Sequence, residues 1–531
     1  MGPSMQHPEA VRSHLDWTIL SSVVLFGLIA TLGAFLLEGH AGFNLGDEGY
    51  LWYGVQRVLH GEVPIRDFMS YDPARYYWAA GLLWLFHANG LIAVRAATAA
   101  FAALGVLGTG ILVLDGATGR MVARLGLCVF AMLLCLFWMI PRWKGYDAAI
   151  SVILTASLAR LLLYPSTRRF FVHGIVIGLA AMLGRNHGLY GVSACLLVTP
   201  VLMLGADRPV WLRCIPAWMA GIVLGFAPIL IGLVRDHRFA AMFWESIRFV
   251  LFEYKGTNLP LPVPWPWTVP AQGPLAALLG PWLVGCFFAA LVLFCASGAV
   301  VVLLQLRREQ RIANPVFVAC VATAIPYLNV AFSRADVQHL AQAILPCLIG
   351  FLVCPWPRRT RAIMQASSLL ILVLTTLWVM LPMHPGYVMR THPDWKSVDV
   401  GGDQVWMSAD TAASVEAIDE LASRYVKTGG TILSVPVWPS AYALLGVRSP
   451  VYEIYPLFPR SDEFQDQEID RLKQADPQMV LIDDVAVDGR EELRYAHTHP
   501  RIWSYISAHY HQMGSPDGEP QLKVYLPLAG E

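Results

Sequence analysis

Eleven long apolar stretches alternate with short polar loops over the first 382 residues. Each is near the ~20 residues that a helix needs to cross a bilayer. The pattern predicts a polytopic α-helical membrane protein with about 11 transmembrane helices. The stretches cover residues 17–38, 91–115, 121–140, 148–164, 170–184, 188–205, 212–234, 275–305, 314–331, 338–354 and 363–382.

The pattern changes after residue 382. "TAASVEAIDELASRYVKTGGTILSVPVWPSAYALLGV" has the periodicity of a helix, then a Gly-Gly turn, a buried strand and another helix. "ADPQMVLIDDVAV" repeats the helix-then-strand order, and "EPQLKVYLPL" adds a late strand. Alternating helices and strands predict a small soluble α/β domain. The chain therefore divides into a transmembrane domain at 1–382 and a C-terminal region at 383–531.

Composition agrees with membrane insertion. Of 531 residues, 56% are hydrophobic and 14% charged, a balance typical of polytopic membrane proteins. A net charge of zero gives no indication of nucleic-acid binding. All nine cysteines lie in or beside apolar stretches, which argues against a disulfide framework. The stretch 17–38 is too long for a cleaved signal sequence, so we expect a retained first helix.

Basic residues predict the orientation. Arginines concentrate in alternate short loops: Arg120, Arg124, Arg168, Arg169, Arg208, Arg213, Arg307, Arg308, Arg311, Arg358, Arg359 and Arg361. Such loops are usually cytoplasmic, which places the N-terminus inside. The opposite, outer face then receives the first outer loop (39–90), the loop 141–147, the second outer loop (235–274), the loop 332–337 and the C-terminal region.

Asp47 and Glu48 stand side by side in the first outer loop. One interpretation is a helix cap, with Asp47 at the N-cap of a helix over 48–60 that ends at Gly61. The other is a general base at the lipid–water boundary, where an attacking hydroxyl must lose its proton. The two interpretations are compatible, because a capping carboxylate can also face a cleft.

Four further ionisable clusters fall on the predicted outer face. Arg142, Lys144 and Asp147 could be interfacial anchors, although Asp147 at the mouth of a span fits a functional role equally well. Arg185 and His187 interrupt an apolar stretch, where ionisable groups usually face a polar cavity or ligand; the alternative is a tight turn. The last two clusters are Arg248 with Lys255, and Arg334 with Asp336 and His339.

The last two clusters have ordinary alternatives as well. Arg248 and Lys255 lie seven residues apart on one face of an amphipathic helix, which would lie in the membrane interface and could hold an anionic headgroup. Asp336 and His339 share a helical face, a spacing that is common in structural pairs and too small a set for a metal site. Together, the acidic Asp47, Glu48 and Asp147 and the basic Arg185, Arg248 and Lys255 predict one cavity in which a carboxylate accepts a proton and cations stabilise a departing phosphate.

The first outer loop resembles the opening of GT-C glycosyltransferases of the protein O-mannosyltransferase and aminoarabinose transferase type. Those enzymes have an acidic residue or pair, a helix ending in glycine, a proline-containing segment and an arginine near the start of the next span. The corresponding residues in "GDEGYLWYGVQRVLHGEVPIRDFMSYDPARYYW" and the span that follows are Asp47-Glu48, Gly61, Pro64, Pro73 and Arg95. "GLAAMLGRNHG" and "FWESIRFVLFEYKG" resemble later family segments, with Arg185 where lysine is commoner.

The resemblance implies an inverting transferase that moves a sugar from a polyprenyl-phosphate donor to an acceptor hydroxyl on the periplasmic face of a bacterial inner membrane. Asp47 would be the base, and Glu48 and Asp147 would line the acceptor or sugar site. The donor-binding candidates are Lys144, Arg185, His187, Arg248 and Lys255, with Arg334, Asp336 and His339 as further candidates.

Three questions stay open at this stage. The acceptor could be a glycan, a lipid or a protein, and a divalent cation could assist the basic residues. A lipid-linked glycan transporter or flippase is a different class, but it would need polar groups at mid-membrane and two repeated halves, and the sequence has neither. A non-catalytic membrane scaffold is the third alternative.

Overall fold

Helices occupy all eleven predicted apolar stretches. The computed structural model describes residues 17–203, 208–269, 274–309, 314–356, 361–516 and 519–528; of the basic loop residues, Arg311, Arg358 and Arg359 lie outside these ranges. The helices up to the C-terminal region are α1 (Trp17–Glu38), α2 (Asp47–Leu59), α3 (Ala74–Leu85), α4 (Leu91–Gly116), α5 (Met121–Trp138), α6 (Gly145–Leu163), α7 (Thr167–Leu183), α8 (Arg185–Met203), α9 (Arg208–Arg235), α10 (His237–Arg248), α11 (Leu275–Glu309), α12 (Pro315–Ser333), α13 (Val337–Leu352) and α14 (Arg361–Met380).

Eight of these helices are long and apolar enough to cross a membrane, so the chain is a membrane protein. The shorter or less apolar α7, α8 and α13 are not among the eight. All eleven predicted spans therefore coincide with helices, but only eight of the described helices have the length and composition of a membrane span. The helices α2, α3 and α10, of 12 or 13 residues each, occupy the first and second outer loops.

Glycines bring α7 and α9 into backbone contact. A Cβ added at Gly174 or Gly178 of α7 would lie 2.2 or 2.4 Å from a carbonyl oxygen of α9. A Cβ at Gly221 or Gly225 of α9 would lie 2.1 or 2.3 Å from a carbonyl oxygen of α7. Both helices thus carry the glycine pair, four residues apart, that allows close packing inside membranes. This contact fixes α7 against α9. The next helix, α8, begins at Arg185 and includes His187, which are two of the predicted site residues.

The C-terminal region contains two small sheets. After α15 (Pro385–Thr391), the strands β1 (Lys396–Val400) and β2 (Asp403–Met407) form an antiparallel hairpin. The second sheet has the order β3-β4-β6-β5, with β3 and β4 parallel and the other pairs antiparallel. Its strands are β3 (Ile432–Val435), β4 (Met479–Asp483), β5 (Tyr510–Gln512) and β6 (Leu522–Pro527), and the helices are α16 (Ala409–Tyr425), α17 (Ser440–Leu444), α18 (Asp462–Ala475), α19 (Tyr495–Thr498) and α20 (Pro500–His509).

Sequence periodicity located β3, β4, β6 and the helices that precede the first two of them. It did not locate the β1–β2 hairpin or β5. β1 is largely exposed and β5 has only three residues, so neither leaves the buried apolar run that identifies an inner strand.

The C-terminal region packs directly on the first outer loop. The backbone N–H of Ser449 donates to the Tyr53 hydroxyl at 2.9 Å, and the Tyr452 hydroxyl donates to the Ile65 carbonyl at 2.8 Å. Gly49 lies so close to Ser440 that an added Cβ would be 2.4 Å from the serine Cβ. The α2 helix is therefore enclosed between the transmembrane helices and the C-terminal region. The division at residue 382 stays a prediction.

The close α7–α9 contact can be tested with Gly178→Ala. We expect it to destabilise the protein by about 1–3 kcal/mol, because the added methyl group meets backbone rather than a flexible side chain. The apparent melting temperature in detergent should fall by several degrees. The matched control is Gly126→Ala in α5, where a Cβ would meet nothing within 4 Å. Equal melting temperatures for both variants would contradict this packing.

Candidate functional site

A cavity of about 520 Å³ gathers charged and polar side chains from distant parts of the chain. Its wall is formed at helix ends, where side chains can reach past the helix bundle. The contributing residues include Tyr71, Asp72 and Arg75 near the start of α3, Lys144 and Asp147 around the start of α6, Arg185 and His187 at the start of α8, Ser246 in α10, His339 in α13 and Arg460 of the C-terminal region.

Asp47 lies one hydrogen bond from this cavity. The Tyr71 hydroxyl donates to its Oδ1 at 3.3 Å, and Lys144 Nζ donates to the Tyr71 oxygen at 2.7 Å. Burial and then the Asp47 charge raise the pKa of Tyr71 well above its ordinary value, so this hydroxyl stays protonated. The predicted Asp47 N-cap is not observed: Gly46 occupies that position, with no side-chain capping bond. Asp47 is instead the first helical residue.

Glu48 points to a buried pair of arginines. Arg95 donates from Nε and Nη2 to its two oxygens, both at 2.8 Å, and Arg142 Nε lies 3.6 Å from Oε1. The two arginines also donate to main-chain carbonyls of Glu38, Gly39, Ala41 and Gly42. Burial alone would raise the pKa of Glu48, but the charges of Arg95 and Arg142 and the hydrogen bonds hold it below its ordinary value.

Asp147 is buried at the cavity wall, between the Arg75 guanidinium and the His187 ring. Arg75 Nη1 and Nη2 donate to its two oxygens at 3.3 and 3.1 Å. His187 Nε2 lies 2.9 Å from Oδ1, and the other ring nitrogen lies 2.8 Å from the Tyr327 hydroxyl. Arg75 also donates to the Leu183 carbonyl at the end of α7. Asp147 and His187 were predicted separately, and the structure joins them.

Arg185 is held at the cavity by Asp72 and Ser246. Its Nε lies 2.8 Å from Asp72 Oδ1, its backbone N–H donates to Asp72 Oδ2 at 2.8 Å, and its Nη1 donates to Ser246 Oγ at 2.9 Å. The guanidinium lies 5.0 Å from the centre of the Phe243 ring. Arg185 remains about 30% exposed, so a ligand in the cavity can still reach it.

Four other predicted residues are not part of the cavity wall: Arg248, Lys255, Arg334 and Asp336. Arg248 is half exposed and forms ion pairs with Glu245 and Glu253, and Lys255 is exposed. Arg334 forms an ion pair with Asp336 and a two-pronged one with Asp488 of the C-terminal region. Asp336 caps α13, and its Oδ1 lies 2.8 Å from Nδ1 of His339, which does line the cavity.

Sequence reasoning missed Asp72, Arg75 and Arg460. The first two lie in "SYDPARYYW", where Asp72 precedes a short apolar helix on the predicted outer face and Arg75 is in its first turn, so the charges could have indicated the site. Arg460 follows a proline in a loop of the C-terminal region, and nothing in its local sequence indicates a cavity.

Within the described ranges, no group of three or more His, Cys, Asp and Glu side chains has the arrangement of a metal site. The carboxylates of Glu48 and Asp147 are already matched by arginines. The chemistry that this arrangement allows with its own residues is proton acceptance by Asp47 and stabilisation of an anion by Lys144 and Arg185.

No protein-family model matches this chain, and no curated protein matches it. Solved structures of the oligosaccharyltransferase from the archaeon Archaeoglobus fulgidus are similar to it. The apo form shows 12% identity and a TM-score of 0.45, with 94% of this chain and 73% of that chain covered. The complex with zinc and sulfate shows 11% and 0.46, with 92% and 71% covered.

The complex of the same enzyme, AglB, with an inhibitory peptide and a dolichol-phosphate shows 12% identity and a TM-score of 0.43, with 97% of this chain and 75% of that chain covered. TM-scores below 0.5 are too low to carry an argument about function. The chemistry of this chain therefore has to be inferred from its own contacts.

The buried Glu48 pair predicts a defined response to mutation and pH. Glu48→Gln should destabilise the protein by about 3–5 kcal/mol near neutral pH, because it leaves Arg95 buried without its anion. Since folding lowers the pKa of Glu48, its contribution is complete above the unfolded pKa of about 4.3 and is lost as the pH falls further. The stability gap between wild type and variant should narrow below about pH 4.3.

Melting temperatures measured in detergent across acidic and neutral pH check this. The control is Glu416→Gln, which removes an exposed ion pair with Lys396 and should change stability little at any pH. A Glu48→Gln protein as stable as wild type at neutral pH would mean that the pair does not hold the loop.

Proposed function

We propose that this protein is an inverting membrane glycosyltransferase that moves a sugar from a polyprenyl-phosphate donor to an acceptor hydroxyl. The observation that carries the proposal is the division of roles among the three predicted carboxylates. Glu48 and Asp147 are bound by arginines, whereas Asp47, within the described ranges, accepts a hydrogen bond from a neutral hydroxyl and forms no ion pair. Asp47 is thus the carboxylate with an oxygen available to a proton.

The reaction is a single displacement. The acceptor oxygen attacks the anomeric carbon on the face opposite the phosphate, and its proton passes to the Asp47 carboxylate. The bond between the anomeric carbon and the phosphate oxygen breaks, and its electron pair leaves with the lipid phosphate. One displacement inverts the configuration at that carbon. The Tyr71 hydroxyl donates to Asp47 and accepts from Lys144, and it thereby links the two residues.

Lys144 and Arg185 are the cations best positioned to stabilise the leaving phosphate. Both line the cavity, and charge that develops on a phosphate is stabilised most by preorganised donors in a site with little water. Asp147, fixed by Arg75 and His187, lines the acceptor or sugar site in this proposal. Glu48 acts by positioning Asp47. Arg248, Lys255 and the Arg334–Asp336–His339 cluster stay candidates for lipid headgroup or loop contacts.

The location of the charges favours a transferase over the two alternatives. The cavity residues cluster at the ends of α6, α8, α12 and α13, whereas a flippase needs polar groups along the membrane-spanning part of its helices. A scaffold has no use for an unpaired carboxylate one hydrogen bond away from a cavity that two cations line. The outer face of a bacterial inner membrane is the proposed location, and a glycan, lipid or protein the proposed acceptor.

Asp47→Asn tests the proposal. A deletion strain lacks one envelope sugar if the protein is the transferase; wild type should restore it, and Asp47→Asn should reduce transfer by about 10²-fold or more. Mass spectrometry of envelope glycans and lipids measures this. The matched control is Asp410→Asn, an exposed acid in the first turn of α16, which should restore the sugar fully.

Full restoration by well-expressed Asp47→Asn would reject Asp47 as base. An unchanged set of envelope sugars in the deletion strain would favour a scaffold. Accumulation of the complete lipid-linked glycan on the cytoplasmic side would favour a flippase. If a chelator stops transfer by the wild-type protein, the reaction requires a divalent cation in addition to Lys144 and Arg185.

A further inference from the structure

Arg460 brings a cation from the C-terminal region to the cavity. It lies between β3 and α18 in sequence, and it forms part of the cavity wall together with Phe249 and Phe458. Its side chain is only 4% exposed. The other cationic residues of the wall, Arg75, Lys144 and Arg185, all come from the first 382 residues.

Aromatic rings hold the Arg460 guanidinium in place. Its central carbon lies 4.0 Å from the centre of the Phe249 ring and 3.8 Å from that of Phe464. Phe249 follows α10 in the second outer loop, and Phe458 packs against Tyr254 of the same loop at 4.4 Å between ring centres. The Arg460 segment therefore fastens the second outer loop to the C-terminal region beside the cavity.

The guanidinium lacks hydrogen-bond partners. In the described part of the chain none of its nitrogens donates a hydrogen bond, and Nε and Nη1 are buried without an acceptor. Its ionic neighbour is Glu453, with 3.1 Å between Nε and Oε1, but that oxygen is itself buried without a hydrogen bond. The charges attract each other, yet the geometry leaves the donors of Arg460 unused.

The buried Arg75 and Arg95 are satisfied, whereas Arg57 and Arg124 each have a buried Nε without a partner. Arg75 and Arg95 each donate to a carboxylate and to main-chain carbonyls. A buried guanidinium with idle donors is costly, and the ion pair of Arg460 with Glu453 is closest at Nε. Nε and Nη1 are enclosed by protein, whereas Nη2 is not enclosed and has no acceptor among the described residues. Nη2 is therefore the donor that a ligand with acceptor oxygens can reach from the cavity.

We propose that Arg460 binds the phosphate of the lipid donor, so that the C-terminal region supplies part of the donor site. This rests on the proposed function, and its ligand is a phosphate ester of an isoprenoid lipid. Phosphate oxygens are strong acceptors for the fork of an arginine. Lys144 and Arg185 would approach the phosphate from the transmembrane part, and Arg460 from the C-terminal region.

Binding measurements on the full chain in detergent test this without any transfer reaction. The probes are farnesyl phosphate and the uncharged farnesol. Arg460→Gln should weaken binding of farnesyl phosphate by about 10- to 100-fold, as expected for lost hydrogen bonds to a charged group, and leave farnesol binding unchanged. Arg460→Lys keeps the charge without the fork, and we expect a smaller loss that is again confined to farnesyl phosphate.

Arg471→Gln is the matched control. Arg471 also forms an ion pair in the C-terminal region, with Glu468, and contacts the Tyr452 ring, but it is not part of this cavity wall. Its replacement should leave farnesyl phosphate binding unchanged. If this variant weakens binding as much as Arg460→Gln does, the effect is one of general stability and the proposal is wrong.

The other outcomes are also decisive. Equal weakening of farnesyl phosphate and farnesol by the Arg460 variants would make Arg460 a packing residue. Should Arg460→Gln fail to fold, unchanged farnesyl phosphate binding by Arg460→Lys overturns the proposal. Competition by a phosphatidate as effective as farnesyl phosphate would mean a general lipid phosphate site. If wild type binds farnesol but gains nothing from the phosphate, the proposed donor itself is wrong.

Discussion

The buried contact of Glu48 with Arg95 and Arg142 fixes the first outer loop on the transmembrane helices. Arg95 belongs to α4 and Arg142 lies just before α6, and both also donate to carbonyls of residues 38–42. The turn that leads from α1 to α2 therefore wraps around two guanidinium groups. Because Glu48 is the second residue of α2, this contact also fixes the position of its neighbour Asp47.

The remaining parts of the candidate site follow from that anchor. Arg75 reaches from α3 to Asp147 and to the end of α7, while the glycine contact between α7 and α9 holds α7 itself. The C-terminal region then covers α2 and brings Arg460 to the cavity. Arginines neutralise Glu48 and Asp147, whereas the partner of Asp47 is the neutral Tyr71 hydroxyl. This difference is the basis for proposing Asp47 as the base.

Local sequence predicted those features that depend on neighbours along the chain. Hydrophobic periodicity located the eleven apolar helices, α2 and three of the four strands of the larger sheet. Charge indicated some residues of the cavity wall, among them Lys144, Asp147 and Arg185, but not Asp72, Arg75 or Arg460. Local sequence could not predict which carboxylate is paired, because Glu48 meets Arg95 47 residues away and Asp147 meets Arg75 72 residues away. Arg460 depends on contacts with Phe249, more than 200 residues earlier in the chain.

A structure of the protein with undecaprenyl phosphate, determined by electron cryomicroscopy, would show where the lipid phosphate binds. We expect density for the phosphate in the cavity, within hydrogen-bond distance of Lys144, Arg185 and Arg460, with the isoprenoid chain leading into the membrane. Phosphate density outside this cavity, for example against the exposed Arg248 and Lys255, would contradict this expectation.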